Sequence, residues 1–310
     1  MPASAAFVLV GPTAVGKSAV AHHLAREDGY DILSADSMAI YRGLDIGTAK
    51  PGVHERAEVK YAGLDLAEPG ETFSVGAYVT HARVAADASA QRGRPLLVVG
   101  GTGLYIKCLT VGLREAPAAD PELRTRLEHL LAREGVAGLQ AELNRLAPEH
   151  LRALADPRNP RRLIRALELA ALGQRLPEAK EAVKPRLLGL RAEPAELERR
   201  VAARVAEMYE RGLLDEVRAL RERGVRLSAT AEQAIGYAEA FGVLDGLLTE
   251  EQARLRTQLR TRQLAKRQMT WFRHQATMTW LDVSSGRTVP DLASSVRSHW
   301  RLHGPTPLAI

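Results

Sequence analysis

Gly11-Pro12-Thr13-Ala14-Val15-Gly16-Lys17-Ser18 follows directly on the apolar run Phe7-Val8-Leu9-Val10. Its spacing is that of a P-loop, in which glycines let backbone N–H groups converge on phosphate oxygens, Lys17 adds a point charge and Ser18 offers a hydroxyl to Mg²⁺. The apolar run predicts a buried strand, and residues 19–25 predict a helix whose N-terminus favours anions. Residues 11–18 are therefore the candidate cradle for a diphosphate or triphosphate. A glycine turn that binds nothing is the bland alternative, and the strand before it and the helix after it weigh against that.

Working outward, strand-like and helix-like runs alternate through about residue 113. This predicts an α/β fold, a P-loop-type parallel sheet flanked by helices. Asp31-Ile32-Leu33-Ser34-Ala35 leads into Asp36, and Pro95-Leu96-Leu97-Val98-Val99 leads into Gly100-Gly101-Thr102-Gly103. Ligands of such sheets sit just beyond the carboxyl ends of strands, so the P-loop, Asp36 and Thr102 are expected around one crevice. From 114 to 185 leucines fall at helical spacing (Leu123, Leu127, Leu130, Leu131, Leu139, Leu143, Leu146), which predicts a helical insertion. Asn159-Pro160 reads as a helix start and Gly173 as a stop. The remainder, 186–310, is expected to return to the core. Leu187 to Leu190 form a strand, and Leu197, Val201, Val205 and Met208 mark an amphipathic helix. Thr249-Glu250-Glu251-Gln252 is a capping box opening a long helix. A last strand at Met278 to Leu281 and a helix near Leu292 to Leu302 precede a tail from His303 expected to fray.

The chain has 310 residues, 45% of them hydrophobic, and its 43 Lys and Arg against 37 Asp and Glu give a net charge of +6. That balance permits a polyanionic partner without demanding one. The single cysteine, Cys108, excludes an internal disulfide, suits a reducing cytosol and reads as a packed thiol. Met1-Pro2-Ala3-Ser4 lacks the basic start of a signal peptide, and no apolar stretch approaches the ~20 residues of a membrane span. A soluble cytoplasmic protein is expected, acting as a monomer with no membrane partner.

Where the charge lies is more telling than its sum. Arg158, Arg161, Arg162 and Arg165 occur with no acid between them, and the last three share much of one helix surface. Arg254, Arg256, Arg260, Arg262, Lys266, Arg267 and Arg273 fall in a stretch without a single acid, ending at Trp271 and Phe272, aromatic surfaces on which unpaired RNA bases stack. The alternative is a solvated helical face whose tryptophan packs into the core. Asp36 is equally two-sided: at a strand end it holds Mg²⁺ in a hydrolase, or accepts a proton from a nucleophile in a group transferase. A merely turn-capping aspartate is a third reading.

Taken together the chain resembles the tRNA dimethylallyltransferase (tRNA isopentenyltransferase) family. The resemblance rests on GPTAVGKS at 11–18, DSMAIYRGLDIGTAKP at 36–51, GGTGLYIKCL at 100–109, ADPELR at 119–124, QAIGYAEA at 233–240 and TRQLAKRQMTWFR at 261–273. It implies transfer of a dimethylallyl group from dimethylallyl diphosphate, with Mg²⁺, to the exocyclic amine of adenosine 37 beside the tRNA anticodon. It further implies that the helical insertion grips the anticodon stem-loop. By position it implies Asp36 as the base, with Thr13, Gly16, Lys17, Ser18 and Arg204 about the diphosphate. Implied tRNA contacts are Asp36, Ser37, Met38, Ala39, Thr102, Arg124, Arg161, Arg162, Leu163, Ile164 and Arg165. To these it adds Gln233, Ala234, Ile235, Gly236, Tyr237, Ala238, Lys266, Arg267, Gln268, Met269, Thr270, Trp271, Phe272 and Arg273. Two departures stand out: Tyr61-Ala62-Gly63 where the family has a histidine pair, and Ala39 where many members have glutamine. Two rival readings remain, an ATP-using nucleoside or small-molecule kinase with the insertion as lid, and a non-catalytic RNA-binding protein switched by nucleotide.

Overall fold

A computed structural model describes residues 5–113, 120–176, 184–283 and 286–310. The Met1 to Ser4 start and Ala119 of the ADPELR stretch lie outside the described residues. In chain order the elements are β1 (Ala5–Val10), α1 (Lys17–Asp28), β2 (Asp31–Ala35), α2 (Val53–Glu58), β3 (Tyr61–Ala62), α3 (Val75–Gln91), β4 (Leu96–Gly100) and α4 (Gly103–Val111). Then come α5 (Pro121–Leu146), α6 (Pro148–Ala153), α7 (Pro160–Ala171), β5 (Arg186–Arg191), α8 (Pro194–Glu210) and α9 (Leu213–Glu222). The last are α10 (Tyr237–Leu244), α11 (Glu250–Gln275), β6 (Thr277–Asp282), α12 (Val289–His303) and β7 (Thr306–Pro307). The chain divides into two compact units, Met1–Leu113 with Val183–Ile310, and Arg114–Ala182.

The larger unit is built on a sheet in the order β3-β2-β4-β1-β5-β6, all pairs parallel. Alternation along its strands splits the core in two. Val8, Val10, Leu33 and Val98 pack on one face, and Leu9, Ile32, Leu97 and Leu188 on the other. Parallel strands buried on both faces read as continuous apolar runs, which is why 7–10 and 96–99 stand out in the sequence. Register then sets the site: Ala35 pairs with Gly100, and Gly100 with Val10. The chain therefore leaves three neighbouring strands side by side, at Gly11, Asp36 and Gly101.

The capping signals hold. Asn159 accepts bonds from the N–H groups of Arg161 and Arg162, and Thr249 and Gln252 form the reciprocal box at the start of α11. In the smaller unit Leu127, Leu139, Leu143, Leu163, Ile164 and Leu167 form the core. Its longest helix, α5, breaks at Gly135, which is left-handed at φ 68°. The expected frayed tail is corrected: Thr306 and Pro307 pair antiparallel with Ala6 and Ala5, Leu308 is buried, and Ala309 N–H donates to Leu109 O at 2.7 Å. Within β1, β5 pairs with Leu9 and Val10, so the first residues of β1 keep an open edge that the tail covers. Among the described residues no helix is long and apolar enough to cross a membrane.

Candidate active site

The P-loop turns between β1 and α1 through backbone that few side chains tolerate. Ala14 sits at φ 65° and Gly16 at φ 95°. A Cβ on Gly11 would lie 2.6 Å from the Leu190 carbonyl, so the close approach of β5 requires glycine there. The Val15 side chain is fully buried in the core, leaving only its backbone to the loop. Thr13 N–H donates to Gln268 Oε1 at 2.8 Å, and Lys17 Nζ donates to Pro12 O at 3.2 Å. Lys17 is half-buried, and desolvation by the walls around it lowers its pKa to about 8; Asp36 acts against the shift and Arg204 adds to it. Burial likewise depresses Arg204, with Asp36 and then Glu207 opposing. Lys17, Arg204 and Asp36 thus form one electrostatic group.

Asp36 follows β2 and is fixed by its own turn: Met38 N–H donates to Asp36 Oδ1 at 2.9 Å. Ser37 N–H donates to Thr102 Oγ1 at 3.0 Å, tying the turn to the end of β4. Two cavities meet at this crevice. One, of about 220 Å³, has Lys17, Ser18, Asp36 and Arg204 in its wall, with Ala21, Ile32 and Val99 supplying apolar surface. The other, of about 550 Å³, is walled by Asp36, Met38, Thr102, Arg260, Arg267 and Trp271. Thr13, Asp36, Thr48 and Arg204 border both.

The glycines of residues 100–103 follow from this packing. A Cβ on Gly101 would lie 2.3 Å from Gln268 Nε2, and one on Gly103 2.2 Å from the Trp271 ring. Residues Gly101 and Gly103 are the seats of two side chains from α11.

Several residues expected at the site are placed otherwise. Leu163 and Ile164 are core side chains of the smaller unit, and Phe272 is fully buried in the larger, so an RNA contact does not fall to their side chains. Tyr237 is fully buried; its hydroxyl donates to Glu216 Oε1 at 2.6 Å and accepts Gly47 N–H at 3.2 Å. Gly236 is buried too. Arg124 and Arg165 bond the two oxygens of the buried Glu168, at 2.8 and 2.9 Å, and so hold a buried carboxylate inside the smaller unit. Arg161 and Arg162 are exposed. Gln268 holds the P-loop, and Ala39 is buried and borders the phosphate cavity, not the larger one. Ser37, Gln233, Ala234 and Ile235 line the larger cavity. Met269 is half-buried; Ala238, Lys266, Thr270 and Arg273 are exposed, and none of these five borders that cavity.

The acid-free stretch is less bare than its sequence. Arg254 pairs with Glu250, Arg260 with Glu239 at 2.6 Å, and Arg262 with Glu198, so acids on other turns and elements relieve its repulsion. Sequence reading also missed residues that border the cavities, notably Thr48, Lys50, Met208 and Gln263. The stretch holding Thr48 and Lys50 was visible as DIGTAKP, a motif with no chemistry of its own. Where the resemblance leads one to expect a histidine pair, the Tyr61 hydroxyl lies 2.9 Å from His22 Nδ1.

The IPP transferase family model matches residues 39–275, and an isopentenyl transferase model matches residues 4–64. The chain belongs to the IPP transferase family. It is 42% identical over 283 residues to a tRNA dimethylallyltransferase of Acidothermus cellulolyticus, covering 89% of this chain and 88% of that one. A Streptomyces coelicolor protein of the same name is 40% identical, covering 95% and 96%. The crystal structure of the full-length tRNA isopentenylpyrophosphate transferase of Bacillus halodurans is 35% identical and superposes with a TM-score of 0.67 over 97% of this chain and 99% of that one.

Proposed function

We propose that this member of the family transfers a dimethylallyl group from dimethylallyl diphosphate to the exocyclic amine of the adenosine just 3′ of the tRNA anticodon, releasing diphosphate. One observation carries the reading: Asp36 stands in the wall shared by the phosphate-loop cavity and the larger cavity bordered by Arg260, Arg267 and Trp271. A donor held in the first and a base presented in the second would meet at this carboxylate. The relatives' names, over nearly the full length of both chains, support the same activity.

The residues suit the chemistry. In the transfer the amine nitrogen bonds to the allylic carbon, the carbon–oxygen bond to diphosphate breaks with its electron pair leaving on oxygen, and the amine proton passes to Asp36. Adenine's amine is a weak nucleophile because its lone pair is delocalised, so a positioned carboxylate contributes roughly 10²–10⁴-fold. Negative charge grows on the departing diphosphate, where Lys17, Arg204 and the P-loop backbone receive it. The target base must leave the anticodon stack, at a few kcal/mol, and Trp271 and the arginines of the larger cavity supply stacking and phosphate contacts that offset this.

The donors present fit a magnesium ion held largely by substrate. Ser18 and Asp36 are hard oxygen donors in the phosphate cavity, and no cluster of three metal-ligating side chains occurs among the described residues. Mg²⁺ is commonly held by one or two protein oxygens plus phosphate oxygens and water. Ser18, with Asp36 nearby, would hold it, and when bound it supplies charge neutralisation on the diphosphate.

The test is incubation of unmodified tRNA with labelled dimethylallyl diphosphate and Mg²⁺, beside a parallel ATP hydrolysis assay. Label covalently in the tRNA is expected; phosphate release from ATP without label transfer would point instead to the kinase reading.

A further inference from the structure

Residues 45–50 line both cavities, through Gly47 and Thr48 in the larger and Thr48, Ala49 and Lys50 in the phosphate cavity. The stretch contains no helix or strand, and Ala49 is left-handed at φ 51°, so its shape must be imposed from outside. From within, buried Lys50 Nζ donates to Tyr41 O at 2.5 Å, Asp45 Oδ1 at 2.7 Å and Asp65 Oδ1 at 2.6 Å. From α9, Glu216 Oε2 accepts the N–H groups of Asp45 at 3.2 Å and Ile46 at 2.9 Å. Its other oxygen accepts the Tyr237 hydroxyl at 2.6 Å, and that hydroxyl accepts Gly47 N–H at 3.2 Å. One carboxylate and one phenol thus satisfy three consecutive backbone donors. The seat is close: a Cβ on Gly47 would lie 2.4 Å from the Tyr237 ring.

We propose that Glu216, through Tyr237, is a positioning residue that sets the loop of residues 45–50 as the common wall of donor and acceptor pockets. This rests on the reading of the site given above. Neither side chain borders either cavity, so the effect on chemistry passes through Gly47 and Thr48. Burial raises the Glu216 carboxyl, the Tyr237, Ile46 and Asp45 bonds oppose it, and a carboxylate kept in such a place is costly unless all its acceptor sites are used.

The experiment compares Glu216→Ala, Glu216→Gln and Tyr237→Phe with the parent by amide hydrogen exchange and steady-state transfer kinetics. In Glu216→Ala, exchange at Ile46 and Gly47 is expected to quicken roughly tenfold or more while the β1 and β4 amides keep their protection. kcat is expected to fall about tenfold to 10²-fold, the scale of a displaced near-attack geometry, with KM for both substrates within about threefold. Glu216→Gln keeps one carbonyl oxygen for Asp45 and Ile46 and should recover most of both. Tyr237→Phe should quicken exchange at Gly47 more than at Ile46. Unchanged exchange at 45–47 in Glu216→Ala, or faster exchange with kcat unaltered, would overturn the proposal. If Glu216→Ala fails to fold, Tyr237→Phe carries the comparison, and parental exchange at Gly47 in that variant overturns it. A parent enzyme that transfers no label would defeat the proposed reaction, whereas the exchange measurement reads the Glu216 contacts independently.

Discussion

Gln268 Oε1 accepts the Thr13 N–H at 2.8 Å across 255 residues of sequence, so the basic helix α11 is bonded directly to the phosphate loop. The same side chain overlies Gly101, and two of the turns that frame the crevice therefore share one amide. A P-loop N–H that points into a site and has no acceptor costs about 1–3 kcal/mol if it stays dry. Gln268→Ala is expected to weaken dimethylallyl diphosphate binding about tenfold while leaving the chain folded. Calorimetric titration checks this, and parental affinity would free α11 from any role at the loop.

Asp36 has one carboxylate oxygen committed to Met38 N–H, and it borders both cavities. Asp36→Ala is expected to keep tRNA affinity and lose about 10²–10⁴-fold in transfer rate. Single-turnover rates measured with saturating tRNA decide it; a loss under twofold would remove Asp36 as the base.

Lys17 gives a pH dependence with a definite sign. Its pKa is lowered by burial to about 8, so the free enzyme carries the charge below that value and loses it above. A bound diphosphate favours the charged form and raises the pKa again. Affinity for the diphosphate should therefore be steady below about pH 8, fall as pH rises past it, and be accompanied there by proton uptake. Titrations at about pH 7 and about pH 9 in buffers of different ionisation heat test both points. Equal affinity at the two values, with no proton uptake, contradicts the assignment.

Gly103 underlies the Trp271 ring, where a Cβ would approach to 2.2 Å. Gly103→Ala must push Trp271 off its seat or shift α4, at about 1–3 kcal/mol for overpacking. Both a lower thermal midpoint and weaker tRNA binding are expected, since Trp271 also borders the larger cavity. A variant with the parental midpoint and parental affinity would mean that Trp271 has another position available.

How much of this was legible beforehand depends on the range of each contact. The P-loop, Asp36 and Thr102 were readable because parallel strands in register deliver their ends to one edge, a rule that needs only local apolar runs. Capping at Asn159 and Thr249 was readable for the same reason, each bond spanning two or three residues. Glu216 was not, and Gln268, marked by its motif as an implied tRNA contact, was not foreseen as a partner of Thr13: these bonds span about 170 and 255 residues, and nothing local announces them. That the side chains of Leu163, Ile164 and Phe272 belong to the core was hidden for a different reason. A motif carried over as a block ignores which side of a helix faces the core, and all three point inward.

The arginines of α7 show what that correction changes. Arg165 and Arg124 bond opposite oxygens of Glu168, which is buried among apolar side chains, whereas Arg161 and Arg162 are exposed one turn earlier. Two outcomes should separate. Replacing Arg161 and Arg162 with alanine is expected to leave stability unchanged and to reduce the slope of log affinity for tRNA against log salt, by about 0.7–0.9 for each phosphate that the protein no longer neutralises. Arg165→Ala leaves Glu168 with Arg124 as its remaining ion-pair partner among those two, so it should lower the thermal midpoint of the chain, with a cost below the ~3–5 kcal/mol of a wholly orphaned buried charge. The two measurements are salt titrations of tRNA binding and thermal unfolding. A stability loss in the double variant, or an Arg165→Ala protein as stable as the parent with a reduced salt slope, would reverse the division of labour along this helix.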